Sequence, residues 1–346
     1  MENSRRLLFL TVAFAATLPA YPASECDTWQ DRHPDWIFCD DFEKGGALVA
    51  PNRYWEYENN AGDFKPVAGT GIRGGTAMRA LWQTGEVEAG NLKLGFGRTP
   101  SATFSKGIRP NSDFREIYYR MFVRMQKGFK GNPFKLSRAT VMAKADWSQA
   151  MIAHVWGQDA GDKLQLDPVR CTDVVGSVKC TGYNDMANIQ WIGAKAGSTR
   201  LFDGTHNDAW VCVETHVKLN DAGASNGLQE FWLGDTLEAK REGLNFLGSY
   251  SAYGINSVFL ENHWNTGSPQ VQERYFDNFV VSTKRIGCAE SAATGIQVPS
   301  HGSRSSNVPS IGLPTGTAAG MVILAEGGEW SLNGRKIGVP VPNHVR

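Results

Sequence analysis

The stretch FLENHWN, residues 259–265, ends a predicted β-strand in side chains that are poor at building a core. Amides, a carboxylate and an imidazole can contact sugar hydroxyls and a sugar carboxylate, and an indole can stack on a sugar ring. The alternative is ordinary turn chemistry for the asparagines and packing for the neighbouring His and Trp. We predict a carbohydrate groove lined by Glu261, Asn262, His263, Trp264 and Asn265.

Basic and aromatic side chains also alternate with apolar ones in the segments EIYYRMFVRM, RATVMAKA and QAMIAHVW. A groove for an acidic sugar polymer needs cations for carboxylates, aromatic planes for sugar faces and a group that takes up a proton near neutral pH. The alternative is a solvated outer face. The side chains that we assign to the groove from these segments are Tyr118, Arg120, Arg124, Lys144, His154 and Trp156.

The elements that must position these side chains are short strands. Period-two alternation recurs between Gly, Asn, Asp and Pro clusters, and helical periodicity is nearly absent. This pattern predicts an all-β fold, a two-sheet antiparallel jelly-roll sandwich, over residues 24–288. The predicted strands are 36–42, 76–82, 92–96, 116–125, 140–144, 150–156, 189–192, 210–219, 229–233, 255–263 and 274–283.

The two ends of the chain differ from its middle. Arg5 and Arg6 precede an apolar run and then small residues, which predicts a signal peptide over residues 1–23 and a secreted or periplasmic protein. Residues 289–346 are rich in Ser, Gly and Pro, which predicts a flexible tail. Within that tail, Asn333-Gly334 is typical of a small hairpin.

Six cysteines and a balanced charge restrict the class of protein further. An even cysteine count in an exported chain favours disulfides, and Cys171 and Cys180 are close enough to close a local loop. The other four allow three pairings, and Cys26 or Cys39 joined to Cys288 would tie the start of the domain to its end. Lys plus Arg equals Asp plus Glu at 35 each, so we expect a monomer with no nucleic-acid or membrane partner.

Three motifs resemble a known family. WIFCDDFE, EIYYRMFVRM and YFDNFVVST are similar to segments of the concanavalin-A-like jelly rolls. These include jelly-roll polysaccharide lyases, laminarinase-type glucan hydrolases and laminin-G-like lectins. The resemblance covers residues 36–288 and implies the sandwich fold and a polysaccharide ligand.

Two alginate-lyase motifs have partial counterparts here. Their R-x-E-x-R strand resembles residues 116–120 with altered spacing, which implies Arg120 or Arg124 as the partner of the sugar carboxylate. Their Q-I-H triplet resembles residues 152–154, which keep His154 but have Ile in place of Gln.

A third motif departs from the alginate-lyase pattern. The Y-F-K-A-G-V-Y-N strand resembles residues 258–265, with Trp264 at the position of the catalytic Tyr. The phenol would then come from elsewhere, with His263, Tyr275 or Tyr118 as substitutes. This departure makes glucuronan or another uronate polymer as good a candidate as alginate. The E-x-D-x-x-E strand of laminarinase-type hydrolases is absent from the sequence.

We therefore predict a lyase that cleaves a uronic-acid glycan by β-elimination, which supposes that alternate side chains of neighbouring strands converge on one trench. The rivals are a carbohydrate-binding lectin and a glycoside hydrolase with scattered carboxylates such as Glu214 and Glu261. The predicted roles are base or charge neutraliser for His154, carboxylate partners for Arg120 and Lys144, and acid or base for His263 and Tyr275.

The resemblance also implies a structural calcium ion. In laminarinase-like jelly rolls an Asp at the position of Asp277 binds Ca²⁺ near the first strand, where CDDFE supplies Asp41. Hard oxygen ligands suit calcium. The alternative is that Asp277 caps a loop. We expect no organic cofactor, and His and Cys show no zinc spacing.

Overall fold

The computed structural model describes residues 24–158 and 161–288, together with the backbone of residues 325–326, 329–332 and 335–336. The predicted signal peptide and most of the predicted tail lie outside the described residues. Within the described part, no helix is long and apolar enough to cross a bilayer.

The regular secondary structure of the described residues is almost entirely β-strand, with two short α-helices, α1 (Trp29–Arg32) and α2 (Ala102–Ser105). The strands up to residue 157 are β1 (Trp36–Asp40), β2 (Glu56–Glu58), β3 (Phe64–Ala68), β4 (Thr76–Trp82), β5 (Glu88–Gly95), β6 (Glu116–Met125), β7 (Lys135–Met142) and β8 (Gln149–Gly157). The next are β9 (Leu164–Arg170), β10 (Gln190–Trp191), β11 (Lys195–Ala196), β12 (Val211–Lys218), β13 (Gly227–Leu233), β14 (Thr236–Leu244), β15 (Ser257–His263) and β16 (Gln272–Ser282).

These strands form two antiparallel sheets of eight strands each. The first, which we call the β6 sheet, has the order β14-β13-β12-β6-β16-β4-β3, with β1 also paired to β16. The second, the β8 sheet, has the order β10-β9-β8-β7-β15-β5-β2, with β11 also paired to β9. The predicted two-sheet jelly-roll sandwich is confirmed.

Alternating apolar side chains fill the space between the sheets. Ile117 and Met121 of β6 and Val213 and Val217 of β12 are buried in one cluster with Val155 of β8. Successive side chains of a strand point to opposite faces, so the residues between these positions point out of the sandwich. The apolar side of the alternation in EIYYRMFVRM is therefore the core face of β6, as predicted.

A buried arginine connects the two sheets. Arg274 of β16 donates through Nη2 to the carbonyls of Glu261 and Lys135 and to Oδ1 of Asn262, at 2.7, 3.0 and 2.7 Å. Burial lowers the pKa of Arg274 to about 9. Because each acceptor lies on the β8 sheet, this guanidinium fixes the position of β15 and β7 relative to β16.

Three disulfides join Cys26 to Cys39, Cys171 to Cys180 and Cys212 to Cys288. The predicted local pair is confirmed. Of the three pairings that the sequence left open for the other four cysteines, the structure has the one without a link from Cys26 or Cys39 to Cys288. Cys39 of β1 pairs with Cys26, while Cys212 of β12 points out of the sandwich and meets Cys288 in a small apolar cluster.

The described residues of the C-terminal unit, residues 301–346, form three short strands. In it, β17 (Ala325–Glu326) pairs with β18 (Glu329–Leu332), and β18 pairs with β19 (Arg335–Lys336). Leu332 pairs with Arg335, so two residues connect these strands. The predicted turn itself, Asn333-Gly334, lies outside the described residues.

Candidate functional site

The face of the β8 sheet that points away from the β6 sheet carries a cluster of charged side chains. Leu92, Leu94 and Leu260 point into the core, so their neighbours Lys93 and Glu261 point outward. Strands β5 and β7 both pair with β15. This arrangement brings side chains from three adjacent strands together, and we call this face the open face.

A cleft of about 340 Å³ lies on the open face. Two small apolar clusters, one around Phe259 and Trp147 and one around Ile152 and Cys171, cover other parts of the same face. The cleft is therefore a limited opening on a face that these two clusters partly cover. Its walls include Asn60, Glu88, Lys93, Lys135, Tyr183 and His263.

The floor of the cleft is a buried ion pair. Arg138 donates to both carboxylate oxygens of Glu261, at 2.7 and 2.6 Å. The Tyr183 hydroxyl donates to the same carboxylate at 3.1 Å, and Arg138 donates to Asn184 Oδ1 at 2.7 Å. Burial opposes ionisation of Glu261, but Arg138 and then Lys135 outweigh it and hold the pKa of Glu261 below its usual value.

Lys93 lies beside this pair in an aromatic cage. Its Nζ is 4.9 Å from the ring centre of Trp147, 5.4 Å from that of Tyr183 and 5.6 Å from that of Phe259. It also forms an ion pair with Glu56. Ring faces attract cations, so the cage and the carboxylate hold the ammonium at a fixed position in the cleft wall.

Lys135 is the half-buried amine of the cleft. Burial lowers the pKa of Lys135, and the positive charge of Arg138 lowers it further, while Glu261 partly opposes both. Among the described residues its ammonium forms no ion pair. A lysine in this environment loses its proton more readily than one in water, so it can act as a base.

The phenol of Tyr183 completes the cleft from above. Its loop follows the Cys171–Cys180 disulfide, and 38% of the residue surface is exposed although the hydroxyl reaches Glu261. Burial and the charge of Glu261 raise the pKa of Tyr183 well above its usual value. The hydroxyl therefore keeps its proton near neutral pH and is available as a hydrogen-bond donor.

His263 is the one predicted catalytic residue that lines the cleft. Its ring contacts Glu88 through Nδ1, and 24% of its side chain is exposed. Glu261 also lies at the cleft, as predicted, but it is 4% exposed and bound to Arg138. Glu261 is therefore part of the floor of the cleft, and its carboxylate is already bound to Arg138.

Arg120, Arg124, Tyr118 and Tyr275 do not lie at this cleft. They belong to β6 and β16 of the other sheet, on the face that points out of the sandwich. The prediction that they share a trench with His154 is wrong, because alternation identifies the face of a strand but not the sheet in which the strand lies.

Arg120 is sealed on the outside of the β6 sheet. It is 1% exposed, forms an ion pair with Glu25 and donates to the carbonyl of Gly287 at 3.1 Å. Arg124 lies 4.5 Å from the ring centre of Tyr275 and donates to the Thr70 carbonyl at 2.8 Å. These cations already have partners within the chain.

The two tyrosines predicted for the site also have contacts elsewhere in the chain. The Tyr275 hydroxyl donates to Glu273, and burial together with that hydrogen bond raises the pKa of Tyr275 to about 12. Tyr118 stacks on His216 with ring centres 4.0 Å apart. Both lie far from the open face, on the other side of the sandwich.

His154 and Trp156 lie on the open face of β8 but are buried. His154 is 1% exposed, and its Nδ1–H donates to the carbonyl of Asp167 at 3.0 Å. Burial lowers the pKa of His154 well below its usual value, and Arg138 adds to this effect. The ring is closed to solvent, which argues against the predicted role as base. Trp156 packs against it with ring centres 3.8 Å apart.

Lys144 lies outside the strand predicted for it. Strand β7 ends at Met142, and Lys144 is an exposed residue of the turn that leads to β8. The apolar cluster of Phe104, Met142 and Phe259 covers this end of the open face. Lys144 therefore does not belong to the strand that was predicted to direct it toward a bound carboxylate.

Trp264 and Asn262 of the FLENHWN stretch are buried, and Asn265 lies in a turn. Trp264 is 4% exposed and packs in the core on Trp82, with ring centres 5.7 Å apart, so the predicted sugar stacking is wrong. Asn262 accepts from Arg274 and donates to the Gly90 carbonyl at 3.0 Å. Asn265 is an exposed turn residue. Trp264 points inward with Leu260, as alternation with the outward residues Glu261 and His263 requires.

Asp41 and Asp277 line a common cavity of about 390 Å³ with Glu43. Asp277 accepts from the backbone N–H groups of Ile72 and Asn278, both at 2.7 Å. Burial raises the pKa of Asp277 well above its usual value, and the charges of Glu43 and Asp41 add to this. No three His, Cys, Asp or Glu side chains of the described part are close enough together to hold a metal.

Some of the cleft residues that were not predicted could have been identified from the sequence. Lys93 follows from the alternation Asn-Leu-Lys-Leu of β5, and Arg138 from that of β7. Lys135 begins β7, where alternation is disturbed by an irregular pairing with β8. No sequence pattern indicates Tyr183, which reaches the cleft from a loop.

Comparison with solved structures finds this fold in polysaccharide lyases. A PL-14 alginate lyase from Aplysia kurodai aligns with a TM-score of 0.51 at 11% identity, over 72% of this chain and 99% of that one. The endo-β-1,4-glucuronan lyase of Trichoderma reesei gives 0.48 at 12%, over 72% and 96%. An alginate lyase from Chlorella virus gives 0.43 at 13%, over 64% and 90%.

The likeness to the Aplysia kurodai structure shows that the chain shares the jelly-roll fold of that protein. No family model and no curated protein sequence matches the chain. At these identities, the chemistry of the cleft must be argued from its own residues.

Proposed function

We propose that this protein is a polysaccharide lyase that cleaves a uronic-acid glycan by β-elimination in the cleft of the open face. The observation that supports this most strongly is Lys135, a half-buried amine whose pKa is lowered by burial. It lies in one cleft with the caged ammonium of Lys93 and the phenol of Tyr183. A base, a cation and an acid are the three groups that the reaction needs.

The roles follow from the chemistry of the bond that breaks. The uronate carboxylate takes the place of Glu56 beside the ammonium of Lys93, which is 4% exposed and paired with Glu56 in the free protein, and of Glu88 beside the ring of His263. These contacts acidify the proton on C5. Lys135 in its neutral form takes that proton. The C4–O4 bond then breaks, a double bond forms between C4 and C5, and Tyr183 donates its proton to the leaving oxygen. Before the reaction that hydroxyl donates to Glu261 at 3.1 Å, so its proton must turn from the Glu261 carboxylate toward the leaving oxygen as the C4–O4 bond breaks.

Hydrolysis by the pair Glu214 and Glu261 is disfavoured by their positions. Glu214 and Glu261 lie on different sheets, whereas a retaining hydrolase needs two carboxyl groups about 5–5.5 Å apart. Glu214 is fully buried and accepts from the backbone N–H groups of Ile286 and Gly287, at 2.6 and 3.0 Å. Glu261 is held ionised by Arg138 and so is a poor general acid.

Three disulfides fit a protein that folds in an oxidising compartment. The proposal therefore includes export from the cytoplasm, with an acidic polysaccharide outside the cell as substrate. Both uronate polymers named for its structural neighbours, alginate and glucuronan, are candidate substrates.

The proposal is tested by incubating the protein with glucuronan, alginate and a heparin-like polymer. We expect ultraviolet absorbance to rise with one of them, because elimination leaves a conjugated double bond, and a neutral glucan to give no change. Binding without new absorbance would contradict the lyase and favour a lectin. New reducing ends without new absorbance would favour a hydrolase.

A structural calcium ion at Asp41 and Asp277 is also part of the proposal. The carboxylates of the cavity offer hard oxygens, and burial together with the charges of Glu43 and Asp41 raises the pKa of Asp277, an effect that a bound cation would offset. Because the carboxylates alone do not form a metal cluster in the described part, backbone carbonyls would complete the coordination. The ion would brace the loop that contains Ile72 against β16.

Calcium at 100 times its Kd is expected to raise the free energy of unfolding by about 2.7 kcal/mol. Thermal unfolding with added calcium and with a chelator measures this. Asp277→Asn should remove the response, whereas Asp235→Asn, in an exposed turn between β13 and β14, should keep it. An unchanged midpoint in the unaltered protein would show that the cavity binds no calcium.

A further inference from the structure

An aromatic cluster extends along the open face beside the cleft. Trp191 lies 5.9 Å from Trp156, ring centre to ring centre, at an angle of 65°, and Phe134 lies 4.8 Å from Trp156. Trp191 belongs to β10, the edge strand of the β8 sheet, and 44% of its surface is exposed. An indole is a large apolar surface to leave in water, so this exposure calls for an explanation.

The cluster is held rigidly from below by His154. The His154 ring lies 3.8 Å from Trp156 and 5.9 Å from Trp191, with an interplanar angle of 29° to the latter. The hydrogen bond to the Asp167 carbonyl fixes the orientation of the imidazole. Because His154 is 1% exposed, it acts as a support for the two indoles rather than as a surface group.

The cluster is continuous with the cleft. Trp156 is the direct pairing partner of Lys135 across β7 and β8, and Trp191 pairs with Val169 of β9. From β7 to β10 there are three strand spacings, or about 14 Å at about 4.8 Å each. A polymer whose reacting sugar lies at Lys135 can therefore run across the strands and reach Trp191 a few sugar units further on.

We propose that Trp191, supported by Trp156 and His154, is a stacking subsite for a distal pyranose ring of the polysaccharide cleaved at Lys135. The C–H face of a pyranose packs on an aromatic plane, and the indole offers such a plane without any charge. The inference rests on the proposed function, since it takes the occupant of the cleft to be a sugar polymer. It makes Trp191 a residue that selects long chains over short ones.

The test compares Trp191→Ala with the unaltered enzyme on the polymer and on a trisaccharide. We expect KM for the polymer to rise about tenfold, which corresponds to about 1.4 kcal/mol, with kcat unchanged because stacking far from the bond contributes equally before and during the reaction. The KM for the trisaccharide should rise much less. Trp191→Phe should recover most of the polymer affinity.

Leu237→Ala is the matched control, since Leu237 is 46% exposed on β14 of the β6 sheet. Calorimetric binding of the polymer to Lys135→Ala, with and without Trp191→Ala, gives a readout that needs no turnover. If the polymer is cleaved but Trp191→Ala leaves its KM and its affinity unchanged, the subsite is overturned and the lyase stands. If the unaltered protein neither cleaves nor binds any uronate polymer, both proposals are overturned.

Discussion

Replacing Lys135 with alanine is expected to lower kcat on a uronate polymer by about 10²–10⁴-fold, the contribution that a general base makes to proton transfer. The amine is half-buried and has a lowered pKa, and in the described part it has no ion-pair partner to compete for it. Arginine is not expected to rescue the variant, because a guanidinium keeps its proton in proteins. Ultraviolet absorbance at saturating polymer measures the effect.

The pH dependence gives an independent check on this role. A base works when it has lost its proton, so kcat/KM should rise with pH through the pKa of Lys135. Because burial lowers the pKa of Lys135, the midpoint should lie below the usual lysine value of about 10.4. This rising limb should disappear in Lys135→Ala.

Lys65→Ala is the matched control for this loss. Lys65 is an exposed lysine of β3, on the other sheet. Its removal changes the net charge by the same amount and should leave kcat unaltered. Full activity in Lys135→Ala, or an equal loss in Lys65→Ala, would show that Lys135 is not the base.

Glu261→Gln is expected to lower the free energy of unfolding by about 3–5 kcal/mol, because it leaves a buried charge without its partner. Arg138 is fully buried and donates two hydrogen bonds to the Glu261 carboxylate. The remaining groups around it, Asn184 and the ring of Tyr183, carry no negative charge at neutral pH. Urea unfolding of the protein with its disulfides intact measures the change.

A double variant separates the cost of leaving Arg138 unpaired from the other effects of changing Glu261. Arg138→Met combined with Glu261→Gln should be less destabilised than Glu261→Gln alone, since the uncompensated charge is gone. Glu242→Gln is the control, because Glu242 forms an exposed pair with Lys240 on the edge strand β14. If Glu261→Gln unfolds at the same urea concentration as this control, the ion pair does not stabilise the floor of the cleft.

The fold could be predicted from the sequence further than the site could. Alternation gave the core face of β6 correctly, because burial on one side of a strand leaves a clear period of two. Strands β2, β3, β9, β11 and β14 were missed. Of these, β3 and β14 are edge strands, where Pro66 and a run of charges are tolerated because one side of the backbone needs no partner.

The prediction of the site was wrong because alternation indicates the outward face of each strand but not the sheet to which the strand belongs. Arg120 and His154 each point out of the sandwich as alternation requires, but they do so on opposite sides of the molecule. Pairing between distant strands decides the sheet, and a single sequence does not show it. The groups that meet at the cleft, Lys93, Lys135 and Tyr183, come from two strands and a loop that are separated by up to ninety residues.

The most direct test of the account is a crystal structure of Lys135→Met with a bound uronate tetrasaccharide. The account predicts the sugar on the open face of the β8 sheet, with a carboxylate against Lys93 and the C5 hydrogen facing residue 135. An oligosaccharide bound on the β6 sheet, near Arg124 and Tyr275, would contradict it.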